Sequence, residues 1–205
     1  MLKKIISGVS AGLLISIGGA VFLACDNRYV GAVLFSVALL CICLKGYSLF
    51  TGKVGFLPEK HGKEEISVLL LGLAGNVIGT LIGGKLIRLG LPALGAAADA
   101  LCAAKMAGQT LPQCFVRALF CGILMYLAVS IYRDQKTVVG ILYCIPVFIL
   151  SGFEHSIADM FYFAASGRLL WGDMALIIVV ILGNAAGGML LPALGMMGKK
   201  EKEHG

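Results

Sequence analysis

Glu154 and His155 are adjacent ionisable residues in the middle of an apolar stretch, within Ser151-Gly152-Phe153-Glu154-His155-Ser156. An imidazole with an ordinary pKa near neutrality can switch charge or share a proton with a weak acid. The plainer reading is a buried neutral ring that satisfies a backbone carbonyl. Glu154 reads as an anchor that accepts hydrogen bonds from unwound backbone or offsets a nearby charge, with a proton relay as the sharper alternative. Thr51 lies in a second interruption, Gly46-Tyr47-Ser48-Leu49-Phe50-Thr51-Gly52. Its hydroxyl can bond His155 and fix the tautomer, serve a passing solute, or merely satisfy backbone freed by the break. Lys105 is either an ammonium that draws anions into a vestibule or an interfacial lysine that snorkels. Lys45 takes no role.

The elements that position these groups must lie in lipid. Of 205 residues 59% are hydrophobic and 14% charged, and mean hydropathy is +0.95. A soluble domain carries about a quarter charged residues. The 28 glycines suit helices that must approach closely where no hydrophobic effect draws them together. A net charge of +6 would raise nucleic acid as a partner in a soluble protein. Here the basic residues sit at the ends of apolar runs, so topology accounts for them and no nucleic-acid partner is expected. Cys25, Cys41, Cys43, Cys102, Cys114, Cys121 and Cys144 fall in apolar or small-residue stretches without metal-ligand spacing. They read as small hydrophobes, with no metal and no cofactor expected.

Apolar runs between charged breaks predict six spans, at about 5–24, 29–50, 66–86, 114–132, 138–163 and 174–194. The first is read as a span and not as a cleaved leader. Residues 93–104, rich in alanine and carrying Asp99, read as a surface or partly inserted helix. Lys3, Lys4, Lys53, Lys60, Lys63, Arg133, Lys136, Lys199, Lys200 and Lys202 fall on one side of the membrane. That side outweighs the one with Arg28, Lys85, Arg88, Lys105 and Arg168, which puts both termini in the cytoplasm. A broken second span followed by a third with Gly-Asn-x-x-Gly occurs twice, at Gly75-Asn76 to Gly79 and Gly183-Asn184 to Gly187. Three spans per half invert the second copy, and paired broken helices place a site near the midplane. The expectation is an all-α membrane protein with six transmembrane helices in two inverted three-helix repeats. It is a single channel domain over 1–205, with repeats at about 5–90 and 112–195 and a cytoplasmic tail at 196–205.

The segment from Ile145-Pro146 through Gly152-Phe153-Glu154-His155-Ser156 to Ala158-Asp159-Met160-Phe161-Tyr162 resembles the signature of the formate–nitrite transporter family. Leu49-Phe50-Thr51-Gly52 is similar to that family's second-helix loop, and the two Gly-Asn pairs to its third- and sixth-helix motifs. The resemblance covers nearly the whole chain. It implies an aquaporin-like fold, assembly as a homopentamer with one pore per subunit, and a cell membrane (bacterial cytoplasmic) location in the lipid bilayer. It further implies that His155 is the central pore histidine and Thr51 the loop threonine. Phe35 and Leu39, with Leu49 and Phe50 of the loop, would form a constriction faced by Phe148. Asn184 would contact the loop, and Lys105 would be the vestibule lysine.

Two positions depart from the family pattern. Gly122 stands where a pore asparagine is usual, which predicts a wider, less polar lining. Asp159 replaces an asparagine that follows the histidine. The short ends predict a simpler pore, less gated by pH. The expected function is passive or proton-coupled transport of a small monovalent anion or weak acid: formate, nitrite, hydrosulfide or a short carboxylate. The permeant would pass the constriction as the neutral acid, its proton coming through His155 or from vestibule water, and no enzymatic activity is expected. The alternatives are a neutral-solute channel and a membrane redox subunit.

Overall fold

A computed structural model describes residues 1–168 and 171–204, so the predicted break at 166–173 lies partly outside the described residues. Every regular element among them is helical: α1 Leu2–Ala24, α2 Arg28–Lys45, α3 Phe50–Lys53, a 3-10 turn Val54–Phe56, α4 Lys63–Gly90, α5 Pro92–Gly108, α6 Leu111–Gln135, α7 Val139–Leu150, α8 Ser156–Ser166 and α9 Trp171–His204. Five of these, α1, α2, α4, α6 and the 172–198 part of α9, are long and apolar enough to cross a membrane. The 12-residue α7 and 11-residue α8 supply the sixth crossing between them. The halves are α1, α2–α3, α4 and α6, α7–α8, α9, with α5 as the link. Three crossings in each half make the second an inverted copy of the first.

Local chemistry sets the boundaries. The Asn27 side chain accepts hydrogen bonds from the Tyr29 and Val30 amides (2.9 and 3.2 Å) and starts α2. Thr110 and Gln113 form a capping box at the start of α6. The second span ends five residues before the predicted Phe50. Gly46 there takes a left-handed conformation (φ 68°), which a side chain would strain. Gly152 (φ 70°) does the same after α7. The first, third, fourth and sixth spans run longer than expected, α9 continuing through the predicted tail, because flanking polar residues extend helices beyond the hydrocarbon stretch that hydropathy detects, and the fifth divides into α7 and α8.

Packing in each half repeats one device. The first helix lies against the third so closely that side chains are excluded between them. A Cβ on Gly12 of α1 would lie 2.6 Å from the Asn76 carbonyl of α4. A Cβ on Gly122 of α6 would collide with the Asn184 carbonyl of α9 and lie 2.8 Å from the Gly188 nitrogen. Gly122 therefore belongs to a helix contact and does not widen a pore lining, correcting the sequence expectation. The residues at 93–104 lie in α5, a surface helix as expected: Ala93, Ala96, Asp99 and Ala100 are exposed, and the other face packs on α4 and α8 with Ala98 and Cys102 fully buried. All of α8 is buried as well, so the second half-helix is the centre of the core.

Candidate functional site

The two breaks are held open by two asparagines in matching ways. The Asn76 side chain accepts from the Phe50 amide (2.9 Å) and donates to the carbonyls of Ser48 (2.8 Å) and Gly8 (2.9 Å). The Asn184 side chain accepts from the Ser156 amide (2.8 Å) and donates to the carbonyls of Glu154 (2.9 Å) and Ala118 (2.8 Å). Each amide thus bonds the first residue of a half-helix, the residue two before it, and the first helix of its own half. Backbone groups freed by a break in lipid need such partners. Both asparagines are completely buried. The match also sets the register of the repeats: His155 is the counterpart of Leu49, not of Thr51.

His155 caps α8. Its Nδ1 accepts the Ala158 amide proton (3.1 Å), so the neutral ring carries its own proton on Nε2. That N–H donates to Thr51 Oγ1, 2.9 Å away across the two breaks. Thr51 is fully buried and His155 is 2% exposed. The imidazole stacks on Phe148, with ring centres 5.5 Å apart, and Phe148 meets Phe35 edge to face at 6.2 Å. The expected pore residues Thr51, His155, Phe35 and Phe148 are therefore one contiguous cluster.

A cavity of about 250 Å³ opens above this cluster on the side away from the N-terminus, lined by Phe35, Phe148 and His155. Arg28, Lys105, Arg117, Glu154 and Asp159 supply its charged lining. Leu39 and Leu49, each 1% exposed, line a second cavity of about 350 Å³ on the opposite side, with Lys53, Arg133 and Lys136. Phe50 is buried at the start of α3 and lines neither cavity, and its amide donates to the Asn76 side chain.

Lys105 is not a free ammonium. It bonds Glu154 and pairs with Asp159 at 3.0 Å. The Gln109 amide donates to the other Glu154 oxygen (2.8 Å), and Arg117 donates to the Gln109 carbonyl oxygen (3.2 Å). Gln109 and Arg117 were not singled out by sequence reasoning, since only the turn between α5 and α6 brings them to a break more than 35 residues on. In the sequence Arg88 bears on topology alone. It reaches the end of α8, donating to the carbonyls of Ser166 and of Ala165 (3.3 Å), where a cation offsets the helix dipole. Lys45 is exposed and takes part in no ion pair among the described residues.

A sequence model of formate/nitrite transporters matches residues 1–198. The chain belongs to the formate/nitrite transporter family. Among relatives of this family, the uncharacterized transporter YwcJ of Bacillus subtilis is 29% identical over 218 residues, covering 93% of this chain and 85% of that protein. The nitrite transporter NirC of Escherichia coli is 29% identical over 182 residues, covering 78% of this chain and 67% of that protein. A solved pentameric formate channel with formate bound is 26% identical, with a TM-score of 0.78 over 96% of this chain and 95% of that one. This formate/nitrite transporter is thus a multi-pass membrane protein with the family's fold, and the buried cluster lies where its two half-helices meet.

Proposed function

We propose that this transporter forms one pore per subunit of a homopentamer in the cell membrane, both termini cytoplasmic. It passes a small monovalent anion across an apolar constriction as the neutral acid. The observation that carries the reading is the arrangement along one line: two cavities with cationic linings at opposite ends, separated by Phe35, Phe148, Leu39 and Leu49. Between them the Thr51–His155 pair offers polar contact. The names of the relatives, a nitrite transporter and a formate channel, support the substrate class.

Magnitudes favour the neutral acid. Moving a carboxylate-sized ion from water into a dry, low-dielectric passage costs on the order of 20 kcal/mol in the Born limit, and several kcal/mol after relaxation. Protonating an acid with a pKa of about 4 at pH 7 costs about 4 kcal/mol. The proton is taken up in the vestibule and not from His155, whose Nε2–H is engaged by Thr51 and whose Nδ1 is occupied by the Ala158 amide. Within the constriction His155 and Thr51 act as hydrogen-bonding groups for a neutral permeant.

The test is uptake into proteoliposomes of hydrosulfide, nitrite, formate, acetate and lactate, with internal pH followed. Flux of at least one of them, accompanied by acidification of the lumen, supports the proposal and selects the substrate. Absence of flux above empty liposomes from a folded oligomer would remove it.

A further inference from the structure

The lining of the outer cavity holds a charge imbalance. Lys105 is shared by two carboxyl groups, Glu154 and Asp159, whose side chains are 3% and 2% exposed. Two such contacts of about 3 Å keep the carboxyl oxygens within about 6 Å of each other. One ammonium between two buried carboxylates leaves a net negative charge in a place of low dielectric, and like charges at this range make it costly for both to stay ionised at rest. The hydrogen bonds decide which group holds the proton. Both Glu154 oxygens receive a donor, one from Lys105 and one from Gln109, so Glu154 is satisfied as the anion. Asp159 meets Lys105 through Oδ1 alone, and its Oδ2 is buried without a hydrogen-bond partner among the described residues. An ionised oxygen left so would be costly, whereas a protonated one would not, and Asp159 is one of the residues that line the cavity.

We propose that Asp159 is a neutral carboxylic acid at physiological pH and is the group that protonates the permeating anion in the vestibule. This rests on the pore reading above and names its proton donor. The Asp159 O–H bond breaks as an O–H or S–H bond forms on the anion. The neutral acid moves on past Phe35 and Phe148, and the Asp159 carboxylate left behind is stabilised by Lys105. It regains a proton from hydronium in the vestibule water, so one proton crosses with each anion. An asparagine at 159 keeps the shape and has no proton to give.

The titratable groups around Asp159 come from α5, α6, α8 and the break. The charged groups that act on it are Lys105 on α5 and Glu154 at the break, and Cys102 on α5, Cys114 and Cys121 on α6 and Tyr162 on its own helix are the titratable groups within reach of its charge. Of these, Lys105 forms the ion pair with Asp159. It also lies between Asp159 and Glu154, so loss of either carboxyl group rearranges the other's partner.

The test has two arms on the reconstituted full chain. Infrared spectra of wild type at pH 7, with and without carboxyl-labelled aspartate, should contain the C=O stretch of a protonated aspartic acid. Asp159→Asn should lack that band. No such band in wild type, or its persistence in a folded Asp159→Asn, overturns the inference. In the flux arm, Asp159→Asn should lower anion uptake at pH 7.5 by about 10²-fold, the scale of a lost general acid. Uptake at pH 5, where bulk neutral acid is plentiful, should be little changed, and Asp159→Glu should restore the neutral-pH rate. A pH profile indifferent to Asp159→Asn, in a channel that conducts, overturns this inference alone. A wild type that conducts none of the anions instead overturns the pore reading, and the donor role falls with it.

Discussion

A neutral imidazole held at both nitrogens has one proton, and in this transporter that proton is engaged by Thr51. Replacing Thr51 by Val removes the acceptor while keeping the volume, leaving Nε2–H unpaired in a buried site. The expected destabilisation is about 1–3 kcal/mol, measured as a lower midpoint in thermal unfolding, together with slower flux. Thr51→Ser, which keeps the hydroxyl, should remain near wild type in both. A Thr51→Val as stable and as fast as wild type would mean that the hydroxyl serves only as filling. His155 and Thr51 were both legible in the sequence, because an ionisable pair in an apolar run and a hydroxyl between glycines are conspicuous. Their meeting was foreseen as one option among several. The tautomer was not foreseen, since it depends on where the Ala158 amide points once α8 has formed.

At the scale of elements, the spans and both breaks could be read from hydropathy and from the repeated Gly-Asn-x-x-Gly. The register between the halves could not. Nothing in the composition marks Gly46 and Gly152 as the left-handed residues, and their placement is what makes Leu49 the counterpart of His155. Gly122 shows the opposite failure. Its departure from the family pattern suggested a missing pore group, yet α6 and α9 approach too closely there for any side chain. Gly122→Ala should therefore force these helices apart and destabilise by about 1–3 kcal/mol, the usual penalty of overpacking. Unfolding in detergent would report it, and an unchanged midpoint would mean that the contact yields without strain. The asparagine pair makes a second prediction. Asn76→Ala and Asn184→Ala each remove one acceptor and two donations from buried backbone groups. Both should lower the unfolding midpoint to a similar extent, although only Asn184 lies beside Glu154 and His155. A large loss for one and none for the other would show that the halves are not equivalent in stability.

For the whole molecule, the charges matter in the proposed pore through their field at the two cavities. One cavity carries Arg28, Lys105 and Arg117 against Glu154 and Asp159, and the other carries Lys53, Arg133 and Lys136. Part of that charge is compensated locally: Arg133 pairs with Glu59 (3.6 Å) and Asp134 (2.7 Å), and Lys105 with its two carboxyl groups. Lys53 instead donates to the Ser48 hydroxyl at 3.0 Å, and no carboxylate pairs with it or with Lys136 among the described residues. A focused positive potential raises the local concentration of an anion, and added salt screens it over a Debye length of about 10 Å at 0.1 M and 3 Å at 1 M. Uptake at low anion concentration should therefore fall several-fold as an impermeant salt is raised from about 0.01 to 1 M. The fall should appear for flux in either direction, because both mouths are basic. Lys136→Glu, on the rim of one cavity and away from the constriction, should weaken the salt effect only for flux that begins on its own side. Salt-independent rates in both directions would mean that the anion reaches the cavities without electrostatic help.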